Sequence, residues 1–302
     1  MSKIIVSKAN SYMGHRDCVY ALADTGSEIF YSSGGDGMIV KWNLNEPDKG
    51  ELLAQVPTSV YSLKYLPTEN QLVIGQNFEG LQFLDLKENK ISKSLKIEDN
   101  MFFIEELGDD LLIGLKSGEV IVIQKDPLLI KSRINNSSQS ARCITLSKSR
   151  KEFAVGHSDN RIRIYDYSKG ELIQEFEAHK NSVFTVRYSQ DERFLISGGR
   201  DAHLKVWETD SNYKEHKSIV AHMFALNDAA FSPNGKHFVT CSMDKSIKVW
   251  DYSTFSLIKV IDKSRHAGHG TSVNKLFWSS YNNQLVSCSD DRTISSWDLK
   301  FS

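Results

Sequence analysis

Apolar and polar residues alternate with period two in short runs along the chain, as in Phe184-Thr-Val-Arg-Tyr188 and Phe194-Leu-Ile196. Alternation of this kind predicts strands with one face buried. Turn residues such as Ser232-Pro-Asn-Gly235 break the runs, and no stretch carries sustained helical periodicity or a helix cap. The pattern predicts an all-β chain of short antiparallel strands.

A longer period overlies the short one. A strand ending of the form apolar-x-apolar-Trp reads Ile39-Val40-Lys41-Trp42, Leu204-Lys205-Val206-Trp207, Ile247-Lys248-Val249-Trp250 and Ile294-Ser295-Ser296-Trp297. Leu84, Ile123 and Tyr165 end degenerate copies in between, so the successive spacings are 42, 39, 42, 42, 43 and 47 residues. A fixed period of this length marks a repeat architecture, in which a unit cannot bury its apolar face alone and stacks on its neighbours. Each of the seven units has three clear strands and a weaker fourth, such as Ser256-Leu-Ile-Lys-Val260. Four strands in about 42 residues make one propeller blade.

Other positions recur relative to the closing Trp. Six residues before it stands Asp36, Asp159, Asp201, Asp244 or Asp291; ten before it stands Ser32, Ser197, Thr240 or Ser287. At 27 or 28 before it stands His15, His179, His222 or His269, each preceded by Gly or Ala. In these residues the chain resembles the WD-repeat β-propeller family, whose blades open on Gly-His, carry a turn Asp and close on Trp-Asp. Trp250-Asp251 and Trp297-Asp298 match that ending literally, whereas Asn43 and Glu208 follow Trp42 and Trp207. The resemblance covers nearly the whole chain. It implies that Trp N–H, Ser or Thr hydroxyl, His and Asp form a buried hydrogen-bonded chain in blades 1, 5, 6 and 7, giving each donor a partner. His, Ser and Asp together could also suggest a hydrolytic triad, but four copies at equivalent places point to a structural role.

Blades 2 to 4 depart from the pattern. Blade 2 has Val56, Ile74, Phe78 and Leu84 at the four places, all apolar. Removing every partner together avoids an unpaired buried donor, which would cost roughly 1–3 kcal/mol per group. Blade 3 has Ile113, Ser117 and Ile123, and blade 4 keeps Asp159 beside Val155 and Tyr165.

Five residues remain after Trp297, too few for an outer strand, while 14 precede His15. Ile4 to Val6 are therefore expected to pair as the outer strand of the last blade and remove its open edge. The expectation is a single domain over 1–302: a seven-bladed β-propeller of four-stranded antiparallel blades, closed by the N-terminal strand.

Composition adds limits. Lys plus Arg number 37 against 38 Asp plus Glu, a net charge of −1 that argues against a nucleic-acid surface. Neither a secretory h-region nor an 18-residue apolar run is present, so the expected location is cytoplasmic, without a membrane partner. Cys18, Cys143, Cys241 and Cys288 fall on predicted inner strands and read as reduced core residues. His266-Ala-Gly-His269 comes nearest to a metal motif but has no Cys or acidic partner at ligand spacing. Neither a metal nor a cofactor is expected.

The resemblance implies binding rather than chemistry. It places the residue 21 to 23 before each closing position at the start of the innermost strand, on the rim of a central channel: Tyr20, Tyr61, Phe102, Arg142, Phe184, Asn227 and Asn274. Aromatic faces there could hold a partner's cation, or the rings could pack sideways between blades. Arg142 is expected to meet an acidic group of a ligand or a loop carbonyl. The residue before each turn Asp, or its equivalent, reads Gly35, Asn77, Lys116, Ser158, Arg200, Met243 and Asp290, a second row in which Arg200 could select charge. The polar segment Ser132 to Ser140 is expected to overhang the same face. The expected function is a non-enzymatic protein-interaction scaffold or adaptor, a monomer within a larger complex, that binds a protein or peptide on the channel-rim face. An alternative is a reader of short peptides whose Arg or Lys enters the aromatic rim. A propeller hydrolase is the rival from another class, and it is disfavoured because the rim row holds no Asp, Glu, His or Cys.

Overall fold

The computed structural model of the chain describes residues 4–301. They form seven four-stranded antiparallel sheets, the seven blades of a β-propeller. Blade 1 consists of Val19–Asp24, Ile29–Gly34, Met38–Asn43 and Glu46–Gln55, and blades 2 to 6 repeat that order through Ser256–Ile261. Within a blade each strand pairs with the next in sequence. The first strands alternate buried and partly buried residues, as Val19–Asp24 does. The second strands do not: Leu111-Leu-Ile113 and Leu195-Ile196 are buried throughout, because a central strand is covered on both faces and needs a continuous apolar run.

The chain divides into two compact units. One comprises the described chain up to Leu72 with Leu84–Lys90 and everything from Asn227 onward; the other comprises Val73–Phe83 and Ile91–Leu226. In the first unit, Val239, Cys241 and Val249 of blade 6 pack with Val273, Leu276 and Leu285 of blade 7. Phe30, Val40 and Trp42 of blade 1 pack with Val286, Cys288 and Ile294. In the second, Ala154, Ile162 and Ile164 of blade 4 meet Val183, Val186 and Leu195 of blade 5. The cores thus lie between successive blades, as stacked repeats require.

Blade 7 is completed from the start of the chain. Ile4–Met13 runs antiparallel to Thr293–Phe301, with Ile4 opposite Phe301, Val6 opposite Leu299 and Tyr12 opposite Ile294. The closing strand is longer than the three residues expected, because pairing resumes, shifted by one residue, past an irregularity between Lys8 and Asn10 and runs up to the loop that carries His15. Met1 to Lys3 lie outside the described residues.

One helical turn, Lys263–His266, was not foreseen. Asp262 caps it, its carboxylate accepting from the Arg265 amide at 2.9 Å. Four residues are too few to show a helical period, and the turn sits in the 47-residue interval, the longest of the series. Among the described residues no helix is long and apolar enough to cross a membrane.

Candidate functional site

The polar tetrads are built as their spacing suggests. In blade 1 Trp42 Nε1 donates to Ser32 Oγ at 2.7 Å, Ser32 Oγ lies 2.7 Å from His15 Nε2, and His15 Nδ1 lies 3.0 Å from Asp36. Blade 5 repeats the chain through Trp207, Ser197, His179 and Asp201, and blade 7 through Trp297, Ser287, His269 and Asp291. In blade 6 Trp250 Nε1 donates to Thr240 Oγ1 at 2.9 Å. Burial alone would raise the Asp201 carboxyl, but the bond and charge of His179 and the amides of Lys180 and His203 outweigh it and hold the group well below the usual carboxylate range. Asp291 behaves likewise through His269, Thr293 and the Gly270 amide. Each serine hydroxyl is engaged by both Trp and His inside the protein, which is the work of a strut between turn and blade.

In blade 4 a different set replaces the tetrad. Ser137 stands where other blades have His and donates to Asp159 at 2.7 Å, while the buried Arg163 lies 2.8 Å from Asp159 and 2.6 Å from Glu175. Tyr165 stacks on Phe153 at 5.0 Å where the Trp would be. Blade 2 corrects one expectation. Val56, Ile74 and Leu84 are buried, but Phe78 is 54% exposed and adopts φ +62°. In blades 1, 4, 5, 6 and 7 the left-handed residue follows the turn Asp, as Gly37, Asn160, Ala202, Lys245 and Arg292. In blade 2 it falls on Phe78 itself, which turns the ring outward instead of into the Asp position.

The seven inner-strand residues are all partly exposed. At Tyr20, Phe102, Arg142, Phe184 and Asn274 the strand ladder skips one residue. A bulge takes a residue out of the alternation and re-aims its side chain. In the first unit the Tyr20 and Tyr61 rings lie 4.9 Å apart at 36°. Burial pushes the Tyr20 phenol up, as does Cys18 beside it. Asn227 Nδ2 donates to Ser272 Oγ at 3.0 Å and to the Val273 carbonyl at 2.8 Å; Asn274 Nδ2 donates to the Val19 carbonyl at 2.9 Å and to Asp290 at 2.7 Å. These two amides tie blade 6 to blade 7 and blade 7 to blade 1. In the second unit the Arg142 guanidinium lies 4.2 Å from the Phe102 ring centroid and 5.8 Å from that of Phe184, with Nε donating to Ser158 Oγ at 2.9 Å. Neither a carboxylate nor a loop carbonyl takes that Nε–H; a serine does.

Three stretches, residues 170–208, 213–251 and 261–298, match the family described as WD domain, G-beta repeat. They fall on the blades ending at Trp207, Trp250 and Trp297, and the tetrad recurs in blade 1, outside them. The chain is a WD-repeat β-propeller. It is 26% identical to the 66 kDa stress protein of Physarum polycephalum over 89% of this chain and 44% of that protein. To WD repeat-containing protein 1-B of Xenopus laevis it is 23% identical over 78% of this chain and 39% of the other. To the serine-threonine kinase receptor-associated protein of Mus musculus it is 27% identical over 39% and 33%. The chain spans less than half the length of each of these relatives.

In this WD-repeat propeller the second row is divided. Lys116, Arg200 and Met243 are exposed, Gly35, Ser158 and Asp290 are partly buried, and Asn77 is buried. Of the segment Ser132 to Ser140 only residues 135–140 form a loop, with 135, 136, 138 and 139 exposed. Ser132, Arg133 and Ile134 belong to the outer strand Leu129–Ile134, while Ser137 and Ser140 are buried, Ser140 Oγ donating to the Lys116 carbonyl at 3.0 Å. These two hydroxyls pin the polar segment down, because they have partners in blades 3 and 4. All four cysteines are free thiols; three are buried, and Cys18, just ahead of its strand, is partly exposed. Among the described residues no three His, Cys, Asp or Glu side chains gather as metal ligands would.

Proposed function

We propose that the chain is a non-enzymatic protein-interaction scaffold, acting in the cytoplasm as a monomer within larger complexes, with its partner seated on the inner-strand residues and the turns beside them. The observation that carries this reading is the placement of Tyr20, Phe102, Arg142 and Phe184 on bulges, which leaves large aromatic and guanidinium groups partly open at the start of the innermost strands. Tyr, Phe and Arg are the residue types that anchor interfaces. One relative is named for association with a receptor, which agrees with such a role. The polar groups that could have suggested chemistry are bonded to one another in the tetrads, and Asn227 and Asn274 serve mainly to join neighbouring blades. Arg200 stands at an exposed turn where it would select the charge of the partner.

The test is affinity capture from the native cell with the wild-type protein and a Tyr61→Ala/Phe184→Ala variant in parallel. Partners lost by a variant that still melts cooperatively place the interaction on these residues. Partners retained by that variant overturn the placement.

A further inference from the structure

On the second unit the candidate residues form one hydrogen-bonded run. The Phe78 amide donates to the Asp99 carbonyl at 3.0 Å, and the Lys116 amide to that of Asn100 at 2.9 Å. Ser140 Oγ donates to the Lys116 carbonyl, and the Ser158 amide to that of Ser140. Arg142 Nε donates to Ser158 Oγ, Ser182 Oγ to the Ser158 carbonyl, and the Arg200 amide to that of Ser182. Phe78, Lys116, Arg142 and Arg200 are thereby fixed in sequence from blade 2 to blade 5.

Charge along this run leans positive, and its cations are the groups turned outward. Asp99 accepts the amides of Asn100 and Ser117, Asp159 is held by Arg163 and Ser137, Asp201 belongs to its tetrad, and Glu79 pairs with Lys96 at 2.9 Å. Asp159 and Glu79 are neutralised by their cations, whereas Asp99 and Asp201 keep their charge with their oxygens turned onto main-chain amides and His179, so three carboxylates with Glu98 stand against the four cations Lys116, Arg142, Lys180 and Arg200. Arg142 also lies against the Phe102 and Phe184 rings, so those faces already hold a cation and suit an incoming anion better than an incoming Lys or Arg.

At the blade 2 end stands an apolar group in a conformation that a bulky residue rarely adopts. Phe78 is held at φ +62°, in the left-handed region. Beside it Asn77, 8% exposed, has its Oδ1 without a hydrogen-bond partner, as does the half-buried Asn100. Both oxygens are shielded from solvent, so they mark local strain beside Phe78 and not contacts for a partner.

From this juxtaposition we infer that blades 2 to 5 bind an acidic linear segment of a partner, its large apolar side chain packing on Phe78 and its carboxylates meeting Lys116, Arg142 and Arg200. The inference rests on the scaffold reading and names the partner's chemistry.

The experiment selects a phage-displayed library of random 12-residue peptides on the full chain, then measures the enriched peptides by fluorescence anisotropy. Acidic sequences carrying one large apolar residue are expected. Their affinity should fall at least tenfold in Lys116→Glu/Arg200→Glu and in Phe78→Gly, and should weaken steeply with added salt. Gly favours a positive φ, so Phe78→Gly removes the anchor without unfolding the blade, and a melt run in parallel verifies this. Enrichment of basic or neutral peptides, no enrichment, or acidic peptides that bind both variants as tightly as wild type would each overturn the inference. The placement of the scaffold's partner on the inner-strand residues fails separately: it falls when cellular partners survive Tyr61→Ala/Phe184→Ala, and it stands when they are lost even though the peptide selection fails.

Discussion

His157 shows how a single residue sets a pH dependence. It is buried in blade 4, its Nδ1 has no partner, and burial, with Arg163 nearby, lowers it from the ordinary 6.5 to about 4. The unfolded chain therefore binds a proton between those values that the folded chain does not, so stability falls as pH drops from 6.5 toward 4. The shift is worth on the order of 3 kcal/mol. Blade 3 carries Leu115 at the equivalent place. His157→Leu should accordingly flatten the loss of stability over that pH range in urea titrations at stepped pH, while an unchanged profile would mean that His157 is not the group responsible. Phe78 makes the opposite kind of residue-scale case, since its cost is backbone strain rather than charge. Phe78→Gly is expected to raise the melting temperature, because the relief of roughly 1–3 kcal/mol of strain outweighs the roughly 0.4–1 kcal/mol by which a Gly loosens the unfolded chain. A lower melting temperature would show that the ring stabilises its blade.

At the scale of the blade, the tetrad acts as one element. Ser197→Ala would remove the acceptor of Trp207 Nε1 and the partner of His179 Nε2 together, both of them buried. Leaving them unmatched costs about 2–4 kcal/mol. Replacing the set by the residues that blade 2 uses at those places, His179→Val, Ser197→Ile and Trp207→Leu, should recover part of that loss, and a denaturant series on the single and triple variants measures it. A triple variant no more stable than Ser197→Ala would mean that the polar chain does more than satisfy its own donors. Acid should weaken the same element: the carboxyls of Asp201 and Asp291 are held below the ordinary 3.8, so their contribution is complete above that value and is lost as pH falls below it. These elements were legible in the sequence because Trp, Ser, His and Asp keep fixed offsets, and because a period of two survives even in blades 2 to 4. Phe78 was not, since an apolar residue at a tetrad offset looks like core until the left-handed turn is seen to fall one residue earlier. Nor were Ser137 and Arg163, whose pairing with Asp159 and Glu175 leaves no repeating mark. The inner-strand residues could be named by their offset, but which of them meet each other depends on how the bulges aim them, and alternation does not encode that.

At the scale of the molecule, the strand that completes blade 7 comes from the opposite end of the chain, so stability should hinge on it. Ile4 and Tyr12 are buried, and Tyr12 meets the Phe30 and Trp42 rings at 5.2 and 5.7 Å, carrying blade 7 onto blade 1. Burying these side chains, with Val6 packed beside them, contributes roughly 4–8 kcal/mol. A domain is typically stable by only about 5–15 kcal/mol. Removal of residues 1–13 would also leave Thr293–Phe301 as an unpaired edge, a template for pairing between molecules. The shortened chain is expected to lose cooperative melting and to aggregate at micromolar concentration. A synthetic peptide of residues 4–13 added during refolding should restore solubility, because the register from Ile4 opposite Phe301 to Met13 opposite Thr293 specifies where it must bind. A peptide of the same composition in scrambled order should not, since slipping by one residue would turn Tyr12 away from Phe30 and Trp42. Full solubility and an unchanged melt without residues 1–13 would overturn the assignment of closure to that strand.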